Sequence, residues 1–367
     1  MIGEYPIKQI LLDSQECWDN PGTPTNVREN FRKVINCGTI ALGAEVYASN
    51  AEWKLVYHTC KSRFCTSCGQ RATEEWQENL NAALPDVPYV GITLTLPREL
   101  WPILQENRHL LHDIPAMGAE AIQLCATSRH DASVFVVVVT QTAGGFLKNF
   151  VPHLHVMVSA GGLQKSTNRW IFNVSYQKGD IMRAWRYAVM ALLAEAVKRN
   201  VLKSGLTREE LMTMFESQYR RAWHIFIGRP KPKACHLKHD GRYIRRPPVA
   251  QHRLRRVGDH EVEYLAKDTR NKKFVARRYS TEEFVEILKE HMPDRGKHAM
   301  RYFGLLAPRS KRRIWAGMFL LLGQKKRPRP GRLRWRWLRL STFGIDPLLD
   351  SFGQRMHWVG RQRPAIA

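Results

Sequence analysis

The chain has 367 residues, which is long enough for two or three modules. Its 44% hydrophobic content is enough for a sizeable core and excludes the class of disordered tails. Lysine and arginine number 58 against 33 acidic residues, and this net charge of +25 is costly unless a polyanion neutralises it. Because 11 tryptophans and 11 tyrosines accompany the charge, we expect a nucleic-acid partner rather than a merely soluble basic protein.

Membrane insertion is not expected from this sequence. Its apolar runs are too short to cross a bilayer, and its N-terminus lacks a basic segment followed by an apolar one. We therefore expect no membrane partner and a cytoplasmic location. In that compartment, the seven cysteines are interpreted as metal ligands before disulfides.

The cysteines near residue 60 indicate a zinc site. The first 35 residues have helical spacing, with Asn26 as the expected cap of VRENFRKVI, and short β-like runs with glycines follow from Cys37. Cys60, Cys65 and Cys68 then form a C-x4-C-x2-C pattern. Tetrahedral Zn²⁺ needs four thiolate or imidazole ligands, and a C-x2-C knuckle supplies two of them from one turn.

The fourth zinc ligand is either Cys37 or His58, and the sequence does not decide between them. Free thiols of a core are the interpretation for the cysteines outside the cluster, which are Cys17, Cys125 and Cys235. Lys61 and Arg63 lie inside the cluster, so we expect the zinc fold to present positive charge to DNA.

Strands alternate with helices in the middle of the chain. GQRATEEWQENLNAALPD predicts an amphipathic helix ending near Pro85, and YVGITLTL predicts a strand. After a helical stretch to about residue 128, DASVFVVVVTQTAGG is apolar enough to be a central strand of a sheet. MRAWRYAVMALLAEAVKRNVL opens further helix to about residue 221, and AWHIFIG predicts another strand.

Two histidines stand at the start of the strand predicted for HLHVMVS. Strand side chains repeat every second residue, so His153 and His155 share one face and can bind one ion together. An antiparallel hairpin with the preceding strand, turning near Gly144, would bring Gln141 beside them as an oxygen ligand. The alternative is two half-buried histidines without a ligand, with Gln141 as an ordinary polar strand end.

KPKACHLKHDGRYIRR predicts a basic helix that closes at Arg246, because the prolines that follow cannot continue it. His239 and Tyr243 are four residues apart and share a face of this helix. Arg242, Arg245 and Arg246 would clamp a phosphate and favour the phenolate form of Tyr243.

The remainder of the chain is basic. GDHEVEYLAKDTRNKKFVARRYS predicts a polar hairpin, and Ser280 with Glu283 predicts the cap of the helix in STEEFVEILKEHM. In the tail KKRPRPGRLRWRWLRL, alternating cations and indoles favour nucleic-acid binding through Arg334, Trp335, Arg336 and Trp337.

In these motifs the chain resembles the HUH-superfamily rolling-circle transposases of bacterial insertion sequences and common-region elements, over nearly its whole length and in order. CGTIALG with HTCKSRFCTSCG is similar to that family's zinc-binding domain, VPHLHVMVSAGG to its HUH motif and GRYIRRPPVAQHRL to its tyrosine motif. MRYFGLLAPRSK and DPLLDSFGQRMHWVGR are similar to its closing segments.

The resemblance implies an α+β fold, with a nuclease core built on a central antiparallel sheet flanked by helices. It implies that His153 and His155 hold Mg²⁺ or Mn²⁺, with Gln141 where the family often carries a third ligand, and that Tyr243 is the nucleophile. Tyr264 in VEYLAKD is the rival nucleophile, since its setting also resembles a helix start. We favour Tyr243 because of its arginines and the double proline after it.

Two departures from the family pattern qualify the mechanism. Where many relatives have a second tyrosine, this chain has His239, so it resembles the single-tyrosine branch. Rejoining would then use the released 3′-hydroxyl or Tyr243 of a second subunit, which makes a homodimer a candidate assembly. The segment VYASNAEWKL also lacks the further cysteine pair of relatives, so the zinc site must recruit Cys37 or His58.

Three domains are expected: a helix and zinc-binding domain over 1–84, a nuclease core over 85–306 and a basic DNA-binding region over 307–367. The predicted function is nicking of single-stranded DNA at element ends, through a 5′-phosphotyrosine intermediate, for rolling-circle transposition. The alternatives are a plasmid replication initiator or relaxase of the same chemistry, a non-catalytic zinc-containing DNA-binding regulator and an ordinary metal-dependent nuclease.

Overall fold

A computed structural model gives the fold, and the helices and strands that it describes alternate along most of the chain. It describes residues 6–62, 64–144, 147–243, 249–256, 260–268, 271, 273–292, 294, 296–328, 336–337, 339–340 and 344–364. Its helices in these ranges are α1 (Pro6–Asp13), α2 (Gln15–Trp18), α3 (Thr25–Asn36), α4 (Thr66–Ala83), α5 (Trp101–Glu106), α6 (Ile114–His130), α7 (Lys178–Lys198), α8 (Arg208–Arg220), α9 (Lys233–Tyr243), α10 (Thr281–Glu290) and α11 (Pro308–Leu321). The strands are β1 (Ala44–Ala48), β2 (Trp53–Tyr57), β3 (Pro88–Thr95), β4 (Ala132–Ser133), β5 (Phe135–Ala143), β6 (Phe150–Ser159), β7 (Gly162–Gln164), β8 (Trp170–Ile171), β9 (Ile225–Ile227), β10 (Lys231–Pro232), β11 (Leu254–Arg256), β12 (Glu261–Lys267), β13 (Phe274–Ser280), β14 (Met300–Gly304) and β15 (His357–Gln362).

An antiparallel sheet with the order β10-β3-β6-β5-β14 lies at the centre, and β9 also pairs with β3. Both faces of β5 are covered, so Phe135 to Val139 are all buried, which confirms that this strand is central. The α+β fold predicted from the sequence is thereby confirmed.

Two apolar layers cover the two faces of this sheet. On one face, Ile92 and Leu154 pack with Trp185 of α7 and the buried residues of α5 and α6. On the other face, Tyr89 and Met157 pack with residues of α4, α9 and α11. The histidines predicted as ligands alternate with the first set along β6, so their side chains lie on the second face.

A third core joins the N-terminal helices to the hairpin β12–β13 and to α10. Trp18, Phe31 and Phe284 are fully buried in it. Ser280 caps α10 as predicted, because its Oγ accepts a hydrogen bond from the backbone N–H of Glu283 at 3.1 Å. The predicted capping pair is one-sided, since the Glu283 carboxylate instead accepts from Lys148 Nζ at 2.7 Å.

One local prediction was wrong, and one alternative interpretation gives way to the hairpin that the sequence predicts for the same segment, which β12 and β13 confirm. Asn26 does not cap α3; the helix begins at Thr25 because the carbonyl of Pro24 accepts the N–H groups of Val27 and Arg28 and closes the first turn. Tyr264 is not at a helix start but on β12, where it pairs with Arg277 of β13 and is only 4% exposed. Strand pairing overrides the local helical character of Tyr-Leu-Ala-Lys there.

The last described strand returns to the N-terminal part of the chain. β15 pairs with β1, which also pairs with β2, so residues about 300 positions apart complete one three-stranded sheet. Glu45 holds the contact, because its carboxylate accepts from Trp358 Nε1 and Arg361 Nε, each at 2.8 Å. The three domain boundaries stay a prediction. Among the described helices, none has both the length and the hydropathy needed to cross a membrane.

Candidate metal centres and active site

His153 and His155 meet on one face of the central sheet. Their Nε2 atoms are 3.1 Å apart, and their rings are nearly perpendicular. The Nδ1–H of His153 donates to the carbonyl of Val151 at 2.7 Å, which leaves the Nε2 lone pair of His153 directed at its neighbour. Two nitrogen donors held this closely could bind one cation together.

Burial keeps both imidazoles neutral. Desolvation lowers the pKa of His153, and it lowers the pKa of His155 to about 3, with smaller contributions from the charges of His153 and His239. A neutral imidazole is the form that binds a metal ion, so neither ring needs to lose a proton first at neutral pH.

The hairpin predicted from the sequence has the expected register. Gln141 of β5 is paired with His153 of β6, and Val139 is paired with His155. A bulge interrupts β5 between Gln141 and Ala143. Because a bulge re-aims the side chains around it, this irregularity sits where the third ligand was predicted.

The bulge is supported by a buried histidine that sequence reasoning missed. His291 contacts Thr142 Oγ1 through Nδ1 at 3.2 Å, and its Nε2 contacts the carbonyl of Leu147 at 2.6 Å. Arg108 donates to the carbonyls on either side of it, those of Glu290 and Met292. This network holds the end of β5 at Thr142 and the backbone of Leu147 ahead of β6. Its partners are over 140 residues apart, so no local signal could have revealed it.

Helix α9 runs alongside β3 towards the histidine pair. Near its start, Lys233 is buried and donates to the carbonyls of Asn81 and Leu84. One turn later, His236 Nε2 contacts the carbonyl of Tyr89 at 2.8 Å. The next residue on that face is His239, whose charge acts on His155.

The same progression gives an estimate of where the last residue of α9 lies along β3. Four residues of a helix and two residues of a strand each span about 6 Å. Position 243 is therefore displaced from His239 along α9 by about the distance that separates Thr95 from Thr93 along β3. Thr95 is paired with His153. By this arithmetic the backbone of Tyr243 is one helical turn beyond His239 and about level with His153, while the side chains of Arg242 and Tyr243 lie outside the described part.

The predicted DNA-contacting residues are only partly described. Arg63, Arg245, Arg246, Arg334 and Trp335 lie outside the described residues. Lys61 is exposed, at a positive φ of 56°.

The described end of the Arg/Trp tail offers one cation that is already paired. Arg336 forms a bidentate ion pair with the carboxylate of Asp346, in which Nη2 lies 2.6 Å from Oδ2. The side chain of Trp337 is 51% exposed. Arg336 is thus less available to DNA than the sequence suggested.

Four cysteine sulphurs converge beside the N-terminus of α4. The Sγ atoms of Cys37, Cys60, Cys65 and Cys68 all lie within 4.8 Å of one another. Backbone N–H groups point at them: those of Cys60 and Ser62 donate to Cys37 Sγ and Cys60 Sγ, both at 3.4 Å. Hydrogen bonding with the other three thiols, Cys37 first, holds the pKa of Cys68 below its usual range. Thiolates held by N–H donors are what tetrahedral Zn²⁺ requires.

The choice between Cys37 and His58 as the fourth ligand falls to Cys37 on this geometry. The ring of His58 is occupied elsewhere: Nε2 contacts Glu45 Oε1 at 3.0 Å and Nδ1 contacts the carbonyl of Leu42 at 3.1 Å. His58 thus connects the zinc-side loop to the carboxylate that also holds β15.

Replacing Cys68 with serine is expected to lower zinc affinity by more than about 100-fold, the upper range for losing an outer-shell partner, because a hydroxyl is a poor substitute for a thiolate. Zinc content by mass spectrometry and the melting temperature would both fall. Cys235→Ser is the matched control, since Cys235 is exposed and outside the cluster. Equal zinc content in the two variants would contradict the assignment.

Two known families match separate parts of the chain, and each part contains one of the two candidate sites. Residues 11–96 match the family described as "Transposase zinc-binding domain", and residues 136–313 match the family described as "Putative transposase". The first match contains all four clustered cysteines, and the second contains the histidine pair and the end of α9.

Two curated relatives match along most of their length. A transposase for the insertion sequence element IS801 of Pseudomonas savastanoi pv. phaseolicola is 29% identical over 323 residues, covering 83% of this chain and 77% of the relative. The putative transposase y4qJ of Sinorhizobium fredii (strain NBRC 101917 / NGR234) is 27% identical over 307 residues, covering 78% and 76%. No solved structure matches the chain significantly.

Proposed function

The chain belongs to the IS91-type transposases with an N-terminal zinc-binding domain, and from this premise we propose that it nicks single-stranded DNA at element ends by tyrosine attack. The observation that carries the proposal is the pair of facing imidazoles, 3.1 Å apart, beside the helix that ends at Tyr243. A transposase acts on DNA, and the net charge of +25 suits that substrate.

The histidine pair fits a divalent cation. Two donors at about 2.0–2.1 Å from one octahedral ion, at a right angle, lie about 3 Å apart, close to the observed separation of the Nε2 atoms. Gln141, opposite His153 in the sheet, is the proposed third ligand through its side-chain oxygen. Mg²⁺ or Mn²⁺ bound there would take up charge on the scissile phosphate.

Tyr243 is the proposed nucleophile. Its oxygen attacks the phosphorus, the bond to the 3′-oxygen breaks, and that oxygen leaves as a free 3′-hydroxyl once protonated. The energy of the cleaved phosphodiester bond is conserved in the 5′-phosphotyrosine bond, whereas hydrolysis would lose it. Arg242, Arg245 and Arg246 follow from the sequence as the clamp on the flanking phosphates.

Burial argues against the rival nucleophile Tyr264. Its side chain is only 4% exposed, in the core shared by α1, α3 and α10, and desolvation raises its pKa. A phenol that is both covered and hard to ionise cannot reach a phosphodiester.

The zinc-binding domain is proposed to grip DNA, with Zn²⁺ held by Cys37, Cys60, Cys65 and Cys68. Lys61, exposed within the cluster, is the described cation placed for a phosphate contact. The proposed domains are the zinc-binding domain over 1–84, the nuclease core over 85–306 and the DNA-binding region over 307–367. The last region contacts the first, because β15 pairs with β1. Rejoining is proposed to use the released 3′-hydroxyl or Tyr243 of a second copy in a homodimer.

The test is to incubate the protein with end-labelled single-stranded DNA carrying the element ends, with and without Mg²⁺ or Mn²⁺. A labelled band that survives denaturation with detergent, appears only with metal and is released by protease is the expected result. Cleavage without a protein-linked product would favour an ordinary nuclease. Binding without cleavage would favour a DNA-binding regulator, and adducts at a plasmid origin alone would favour a replication initiator.

A further inference from the structure

An aromatic groove of about 390 Å³ opens where β3 begins and β6 ends, away from both proposed metal sites. Three aromatic side chains line it: Trp170 of β8, and Phe172 and Tyr176 of the segment between β8 and α7. The groove has the volume of a small-ligand site, and such sites are usually lined by apolar groups.

The aromatic rings are held in different ways. Trp170 packs against Phe135 with ring centroids 6.2 Å apart, and Gly161 allows that approach, because a Cβ there would lie 2.8 Å from the indole. The hydroxyl of Tyr176 donates to the carbonyl of Ser159 at 2.7 Å. Phe172, by contrast, is 67% exposed at the groove. Two fixed rings and one open ring form a preorganised stacking platform.

The charge around the groove is positive. Its lining includes no acidic side chain. Arg169 precedes Trp170, and Arg229 lies between the lining residues Gly228 and Pro230; both are exposed and form no ion pair within the described part of the chain. Surface arginines of the neighbouring helices are neutralised instead, as Arg129 is by Asp180 at 2.6 Å.

Aromatic faces flanked by unpaired cations match the chemistry of single-stranded DNA. A base stacks on a ring whatever its sequence, while arginines contact the phosphates on either side. An apolar peptide would use the rings but would leave the arginines without partners. Val90 in the groove lining belongs to the layer of the sheet opposite the histidines, and its backbone is three residues, roughly 10 Å, from that of Thr93 beside His155.

We propose that this groove binds an unpaired nucleobase of the substrate strand, with Phe172 stacking on the base and Arg169 and Arg229 contacting the flanking phosphates. The inference rests on the proposed function in that the strand held here is the one nicked at the histidine site. It adds a binding site that grips the strand a few nucleotides from the scissile phosphate.

The test compares two labelled strands of equal length and charge by fluorescence anisotropy: oligothymidine, and the same backbone with abasic sites. Phe172→Ala is expected to weaken binding of oligothymidine about ten-fold and to leave the abasic strand nearly unchanged, because only the base is stacked. Tyr187→Ala is the matched control, since Tyr187 is 65% exposed on α7 and does not line the groove.

A second measurement locates the base directly. Photocrosslinking of a strand containing 4-thiothymidine is expected to label the peptide that contains residues 170–176. Equal losses on both strands for Phe172→Ala, or crosslinks that avoid this peptide, would overturn the groove. If the base-dependent loss is found but no covalent adduct forms at element ends, the groove stands and the proposed nicking function fails.

Discussion

Phenylalanine in place of Tyr243 is expected to abolish the covalent protein–DNA adduct, with a fall in nicking of roughly 10⁴-fold or more, as for other nucleophiles removed from an enzyme. A phenyl ring has the shape of the phenol but no oxygen to attack phosphorus. Non-covalent binding of the same strand, measured by anisotropy, is expected to change less than about three-fold, because the charge of the chain is unaltered.

Tyr264→Phe provides the matched control for this substitution. It removes the same hydroxyl from a tyrosine that is buried on β12 and far from solvent. This variant should form the adduct at the wild-type rate, although loss of the Tyr264 hydroxyl can cost some stability. An adduct that persists in Tyr243→Phe and disappears in Tyr264→Phe would reverse the assignment of the nucleophile.

The location of Tyr243 could be predicted only in part from sequence. The helix and the shared face with His239 follow from spacing alone. The proximity of that face to the histidines depends on how α9 packs against the end of α4 through Lys233 and against β3 through His236. These contacts join residues about 150 positions apart and have no periodic signature in the sequence. Only the family resemblance therefore linked Tyr243 to the histidine pair.

The metal sites show the same division between local and long-range information. Alternation along β6 and a short turn were enough to predict that Gln141 would lie beside the histidines, and in the structure it is paired with His153. The fourth cysteine could not be chosen from spacing, because the choice depends on Glu45. That carboxylate engages His58, Trp358 and Arg361 together, and the last two approach from the far end of the chain.

The misplaced cap and the rejected helix start had different physical origins. Asn26 is a good cap residue and Tyr264 stands in a helix-like tetrapeptide, yet neither preference decided the structure. The proline before Thr25 set the start of α3, and pairing of β12 with β13 buried Tyr264. In the first case one local preference outweighs another, and in the second strand pairing outweighs local propensities of a few tenths of a kcal/mol.

Alanine in place of His155 is expected to lower the affinity for Mn²⁺ by more than about 100-fold, beyond the usual loss for an outer-shell partner. The reason is that one of the two converging imidazoles disappears, and His153 alone cannot hold the ion against water. Mn²⁺ binding followed by electron paramagnetic resonance measures this directly, without DNA. Adduct formation at element ends should fall by roughly 10²–10³-fold in parallel.

Two comparisons make this prediction specific to the histidine pair. His357→Ala removes an exposed imidazole on β15 and should leave both Mn²⁺ binding and adduct formation unchanged. Zinc content should stay constant in His155→Ala, because the four cysteines form a separate cluster. If His155→Ala retained wild-type Mn²⁺ affinity while losing the adduct, His155 would contact the DNA phosphate itself, and the cation would have to bind elsewhere.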